Sequence, residues 1–114
     1  MDVSKYKEEL IGQSIVLISQ HLNIDADNLY AGPEMEKTSF TELHEKLTNL
    51  VSQLIDHDFE RLLNALYKID VSEQKFKQIL AVETPDNISA EVAMLIIERE
   101  YQKVVTRLKY KGVN

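Results

Sequence analysis

The last quarter of the chain carries its most informative pattern. An unbroken apolar run, Val92-Ala93-Met94-Leu95-Ile96-Ile97, gives way to two interleaved stripes. Tyr101, Val104, Val105 and Leu108 form one, and Arg99, Lys103, Arg107 and Lys111, every fourth residue, form the other. Residues four apart share a side of an α-helix. One helix, capped by Ser89, is therefore expected to start buried all round and to finish as an amphipathic, cationic surface helix.

Helical spacing repeats upstream. Tyr6, Leu10, Ile11, Ile15, Leu17, Ile18 and Leu22 predict a helix from about Lys5 to His21, with Asp2 or Ser4 as cap. Asn23 to Lys37 is the loosest stretch, broken at Gly32-Pro33; Asp25 is placed to cap one short turn there, closed by Gly32. Ser39-Phe40-Thr41-Glu42 is a capping-box pattern, in which Ser39 and Glu42 satisfy each other's free amides. Phe40, Leu43, Leu47, Leu50, Val51, Leu54 and Ile55 follow at helical intervals.

The polar triplet Asp56-His57-Asp58 predicts a stop and restart, with either Asp as cap. Phe59, Leu62, Leu63, Leu66 and Tyr67 make the next stripe. Ser72 caps a further helix in which Val71 can staple against Phe76, and Phe76, Ile79 and Leu80 face inward. Ala81 to Ile88, with Thr84-Pro85-Asp86-Asn87, reads as a loop. No segment alternates at period two, and three glycines and two prolines are too few for a turn-rich β-protein. The expected fold is all-α: one domain over residues 1–114, a four- to five-helix bundle of mostly antiparallel neighbours with a long C-terminal helix.

At 114 residues the chain can bury a core without a metal or disulfide. Cysteine is absent, which excludes thiol chemistry and Cys-ligated metals and fits a reducing cytoplasm. Neither a signal-peptide pattern nor a membrane-length apolar run is found. The formal charge is −6, which argues against broad nucleic-acid binding. It is unevenly placed: residues 98–114 hold five Lys/Arg and two Asp/Glu, so the remaining 97 residues hold the other eight and seventeen. The last helix is basic on an acidic protein.

Candidate chemistry is sparse. Ile18, Thr41 and Leu54, not carboxylates, precede His21, His44 and His57 by three, so the Glu-x-x-His di-iron pattern is missing. His44-Glu45-Lys46-Leu47-Thr48 starts like a zinc-protease helix, but Thr48 replaces the second ligand. Asp25-Ala26-Asp27-Asn28-Leu29 starts like a calcium loop, but Leu29 and Tyr30 stand where an oxygen ligand and a Gly are needed. His57-Asp58 resembles the paired ligands of helical HD-type metal phosphohydrolases. That resemblance implies an earlier His, His21 or His44, and a later Asp, Asp70 or Asp86. No glycine-rich phosphate loop or nucleophile motif is present. No metal or cofactor is expected, and His57 reads foremost as a polar residue at a helix junction.

The stretches His57 to Asp70 and Ile96-Ile97-Glu98-Arg99-Glu100 resemble small bacterial helical proteins to which no activity is attached, so the resemblance implies a helical fold and no reaction. The expected function is a non-catalytic, self-associating interaction or regulatory module of the cytoplasm, with Arg99, Lys103, Arg107 and Lys111 as the strip that meets a protein partner. A hydrolase centred on His57 and Asp58 is the alternative, and a nucleic-acid accessory protein using the basic stripe is a third. For the last, the stacking aromatics beside the charges are lacking. No small-molecule ligand is evident.

Overall fold

The computed structural model describes residues 5–30 and 38–111. Within them lie α1 (Glu8–Leu22), α2 (Phe40–His57), α3 (Phe59–Ile69), α4 (Glu73–Val82) and α5 (Pro85–Lys111), with a 3-10 turn at Ala26–Asn28 and no strand. The all-α bundle and its long C-terminal helix are as expected.

Most of the expected caps are present. Ser39 Oγ accepts from the Glu42 amide at 3.2 Å, and Glu42 Oε1 accepts from the Ser39 amide at 3.1 Å. Asp58, not Asp56, ends α2 and starts α3, its Oδ1 accepting from the Arg61 amide. Ser72 caps α4 through the Lys75 amide, and Asp25 caps the 3-10 turn through Asp27. Asp2, Ser4 and Gly32 lie outside the described residues.

Two boundaries differ from the sequence reading. Helix α5 starts at Pro85, and Ser89 lies buried inside it rather than capping it. Proline suits a first helical turn because its φ is already helical and the amide it lacks would have no intrahelical partner there. The Thr84 carbonyl accepts from the Asn87 and Ile88 amides, so the helix begins five residues earlier than a Ser89 cap implies, and of the expected loop Ala81 to Ile88 only Glu83 and Thr84 separate it from α4. At the other end, α1 starts at Glu8, because Lys7 is extended and has no side-chain cap. The Tyr101 hydroxyl, on α5, takes over that role: it accepts from the Lys7 amide at 3.0 Å and donates to the Lys5 carbonyl at 3.1 Å.

Helix α5 is the spine, packing against each of the other four, whereas α4 packs mainly against α5. The core is built from Ile11, Ile15, Ile18 and Leu22 of α1, Leu43, Leu47 and Val51 of α2, Leu62 and Ile69 of α3, and Val92, Ala93, Ile96 and Ile97 of α5. Two arginines tie helix ends across this core. Residues Asn23 and Asp70 end α1 and α3 in the left-handed region, at φ 56° and 65°, which Asn and Asp tolerate better than most residues. Arg61 donates to the Leu22 and Asn23 carbonyls, and Arg99 donates through Nε to the Asp70 carbonyl at 3.1 Å. Carbonyls that α1 and α3 leave without intrahelical donors thus receive charge-assisted bonds.

Candidate functional site

Helix α3 presents a wider apolar arc than the core accepts. Leu62, Leu66 and Ile69 are buried, but Phe59, Leu63 and Tyr67, four apart, lie on the neighbouring side and are exposed, Tyr67 to 87%. The sequence reading placed Phe59, Leu62, Leu63, Leu66 and Tyr67 together on one stripe. On α4, likewise, Phe76 and Ile79 are half-buried while Leu80 is exposed, and the helix has no fully buried residue. These unburied side chains are not scattered. Phe59, Leu63, Tyr67 and Leu80, with Phe76 and Val71, line one groove of about 1380 Å³.

The groove follows from the connectivity. Only Asp70 to Ser72 separates α3 from α4, and α4 leans on α5 rather than on α3. The two short helices are therefore walls, and Leu95, Glu98, Tyr101 and Gln102 of α5 belong to the lining between them. Charged groups of both signs sit in the same lining: Asp70, Glu73 and Glu98 against Lys75, Lys77 and Arg99. Arg99 Nη2 meets Asp70 Oδ2 at 3.3 Å, and Lys77 meets Glu73 at 3.2 Å.

Tyr6 and Tyr101 belong to the lining too, backed by the buried Phe40. Tyr6 stacks on Phe40 at 4.2 Å and meets Tyr101 edge-on at 4.9 Å, with Lys5 Nζ 5.1 Å from its ring centre. Burial, and then the Glu98 carboxylate, raise the Tyr6 phenol above its ordinary pKa, so Tyr6 brings an apolar, neutral ring to the groove at neutral pH.

The cationic stripe is split. Arg99 is held by Asp70 and Gln102, and Lys103 Nζ lies 2.9 Å from Glu100 Oε1 with only 19% of its side chain exposed. Arg107 is exposed, and Lys111 ends the helix. The stripe expected to lie on the surface thus begins in intramolecular contacts.

Glu100 itself was not singled out by the sequence reading. It is fully buried, with its other oxygen 2.6 Å from His21 Nδ1. A carboxylate next to the buried seam Ala93, Ile96, Ile97 and Val104 was the available signal, because charge at a core position needs a partner.

Of the remaining chemistry candidates, His21 and Asp58 border one recess. His21 is held by Glu100, and His44 Nε2 lies 2.9 Å from the Ala90 carbonyl oxygen. His57 is exposed at the end of α2, Asp58 serves as the α3 cap, and Asp70 faces Arg99. Among the described residues no three His, Cys, Asp or Glu side chains form a group that could hold a metal ion. A second, polar recess of about 330 Å³ lies beside His21, Asp58 and Arg61, where Arg61 already serves the end of α1. No helix among the described residues is long and apolar enough to cross a membrane.

The fold and the groove thus define a small all-α bundle with an open, apolar, aromatic-edged face. Comparison with protein-family models, curated proteins and solved structures finds no match for the chain.

Proposed function

We propose that this protein is a non-catalytic interaction module of the cytoplasm that receives a helix of a protein partner in the groove between α3 and α4. One observation carries the reading: four large apolar side chains, Phe59, Leu63, Tyr67 and Leu80, stand exposed together around a single groove on a chain of which 28% is charged. Contiguous apolar surface of this kind marks interaction sites on otherwise polar proteins. An α-helix with its side chains is about 10 Å across, and one apolar face of it can lie in an open groove of this kind. Grooves that accept helices are lined in this way, with apolar pockets inside and charges at the edge.

The reading moves the docking surface from the basic stripe to the groove, because Arg99 and Lys103 are engaged within the molecule. The test is site-specific photo-crosslinking in the native host, with a benzophenone side chain at Tyr67 in the groove or at exposed Gln53 on α2. A crosslinked protein is expected from position 67 and not from 53. No product at 67, or the same products at both positions, overturns the reading.

A further inference from the structure

Helix α5 carries an ordered row of residues along its open face. Glu91, Leu95, Glu98, Gln102, Val105 and Lys109 follow one another at spacings of four, three, four, three and four. Alternating spacings of four and three keep these residues on one face of the helix, with Leu95 and Val105 as its apolar members. All six are exposed or half-exposed, and Leu95, Glu98 and Gln102 already line the groove. Beyond the groove the same face runs on along the end of α5, where every residue from Val105 to Tyr110 is exposed. Val105 and Leu108 each show about two-fifths of their surface. A helix of 27 residues is about 40 Å long, comparable with the longest extent of the molecule, 42 Å. Among the described residues, that apolar edge of its last turns stands exposed.

The row reads as its own complement when reversed. About position 100, Glu91 is opposite Lys109, Leu95 opposite Val105, and Glu98 opposite Gln102. An antiparallel copy of the helix therefore sets acid against base at both ends, apolar against apolar inside them, and a carboxylate against an amide donor at the centre. The order of charge along α5 gives the same sense. Its first half carries Asp86 and Glu91, and its last turns carry Arg107, Lys109 and Lys111.

We infer that the groove's occupant is the end of α5 from a second copy of this chain, the two α5 helices crossing antiparallel so that each end lies in the other's groove. This rests on the groove being a docking surface, and it names what docks. The contact is isologous, the usual arrangement for a homodimer. The piece inserted is the exposed end of the helix, Val105 to Tyr110, somewhat under two turns. Phe59, Leu63, Tyr67 and Leu80 supply the apolar area that a seam with polar members lacks, and the pairs of Glu91 with Lys109 set direction and register. In a protein of net charge −6, this is a face on which two copies approach with charges matched.

The test is sedimentation equilibrium on the full chain. The parent is expected to be dimeric at about 100 µM, a hundredfold above a micromolar Kd. Val105→Glu, at an exposed position, is expected to weaken the dimer about tenfold or more while leaving helicity intact. Glu91→Lys and Lys109→Glu are each expected to weaken it, and the double exchange to recover most of the loss, because the pairs are re-formed with signs reversed. A parent that stays monomeric at this concentration overturns the second-copy inference. So does a dimer indifferent to Val105→Glu, or single charge reversals that the double exchange does not rescue. Crosslinks from Tyr67 to a different protein would in that case preserve the groove as a docking surface, whereas none from Tyr67 would remove both readings.

Discussion

His21 on α1 and Glu100 on α5 meet at 2.6 Å inside the bundle, and Lys103 completes the site from one turn further on. A fully buried carboxylate has no water to stabilise it, so its partners do so. Removing one partner of a buried ion pair typically costs about 3–5 kcal/mol. Lys103→Met is expected to fall near the low end, about 3 kcal/mol, because Lys103 keeps 19% exposure and water reaches it. Arg107→Met, at an exposed position, should change stability by no more than about 0.5 kcal/mol. Urea unfolding of the two variants tests the contrast. Equal midpoints would show that Lys103 does not support Glu100.

Ile97 lies at the centre of the spine with no exposed surface. Ile97→Ala is expected to lower stability by about 2–5 kcal/mol, the range for deleting a large aliphatic side chain from a packed core. Calorimetric melting reads this directly, and an unchanged transition would mean that the helix is rotated from the position described.

The capping box of α2 predicts a pH dependence with a definite sign. The Ser39 amide, and then its side chain, hold the Glu42 carboxyl below its ordinary pKa. The charged form is thus favoured by folding. Its contribution is complete above the unfolded pKa, about 4.3, and is lost as pH falls through the lower folded value. Glu42→Gln should therefore melt below the parent at pH 7, and the gap should narrow as the parent's own carboxylate is protonated. Ser39→Ala removes the reciprocal bond and is expected to cost about 1 kcal/mol. A Glu42→Gln gap that stays constant with pH would remove the carboxylate from the account.

Helix α4 is expected to be the first to open. It buries no residue fully and leans chiefly on α5 through the half-buried Phe76 and Ile79. Local opening energies follow buried apolar contact, so α4 amides should exchange hydrogen faster than those of α2 and of the apolar first half of α5. Protection of α4 equal to theirs would contradict this packing.

Much of the fold was legible because it rests on local chemistry. Ser39, Asp58 and Ser72 each mark the start of a helix, and helical spacing separates Leu43, Leu47 and Val51 from the solvated face of α2. Ser89 misled because a serine before an apolar run is the pattern of a cap, while Pro85 four residues earlier already satisfied the geometry. The groove was hidden for a different reason. Leu62 and Leu63, or Leu66 and Tyr67, are alike in a hydropathy pattern. Which of them the core accepts depends on how α3 is turned against α1, α2 and α5, the helices it packs on, and two of these are distant in sequence. Glu100 and its partner His21, 79 residues apart, lie beyond the reach of spacing for the same reason.

The grip of Tyr101 on the backbone at Lys5 and Lys7 reaches across 94 to 96 residues of chain. Bundles made of neighbouring helices fold fast because each contact closes a short loop, and the rate falls as the mean separation of contacting residues rises. Here the corner between α2 and α3 forms across a single residue, Asp58, while α1 finds α5 only after nearly the whole chain has been traversed. Seating the first helix on the last therefore closes a loop of nearly the whole chain, the kind of contact that raises the mean separation and slows folding.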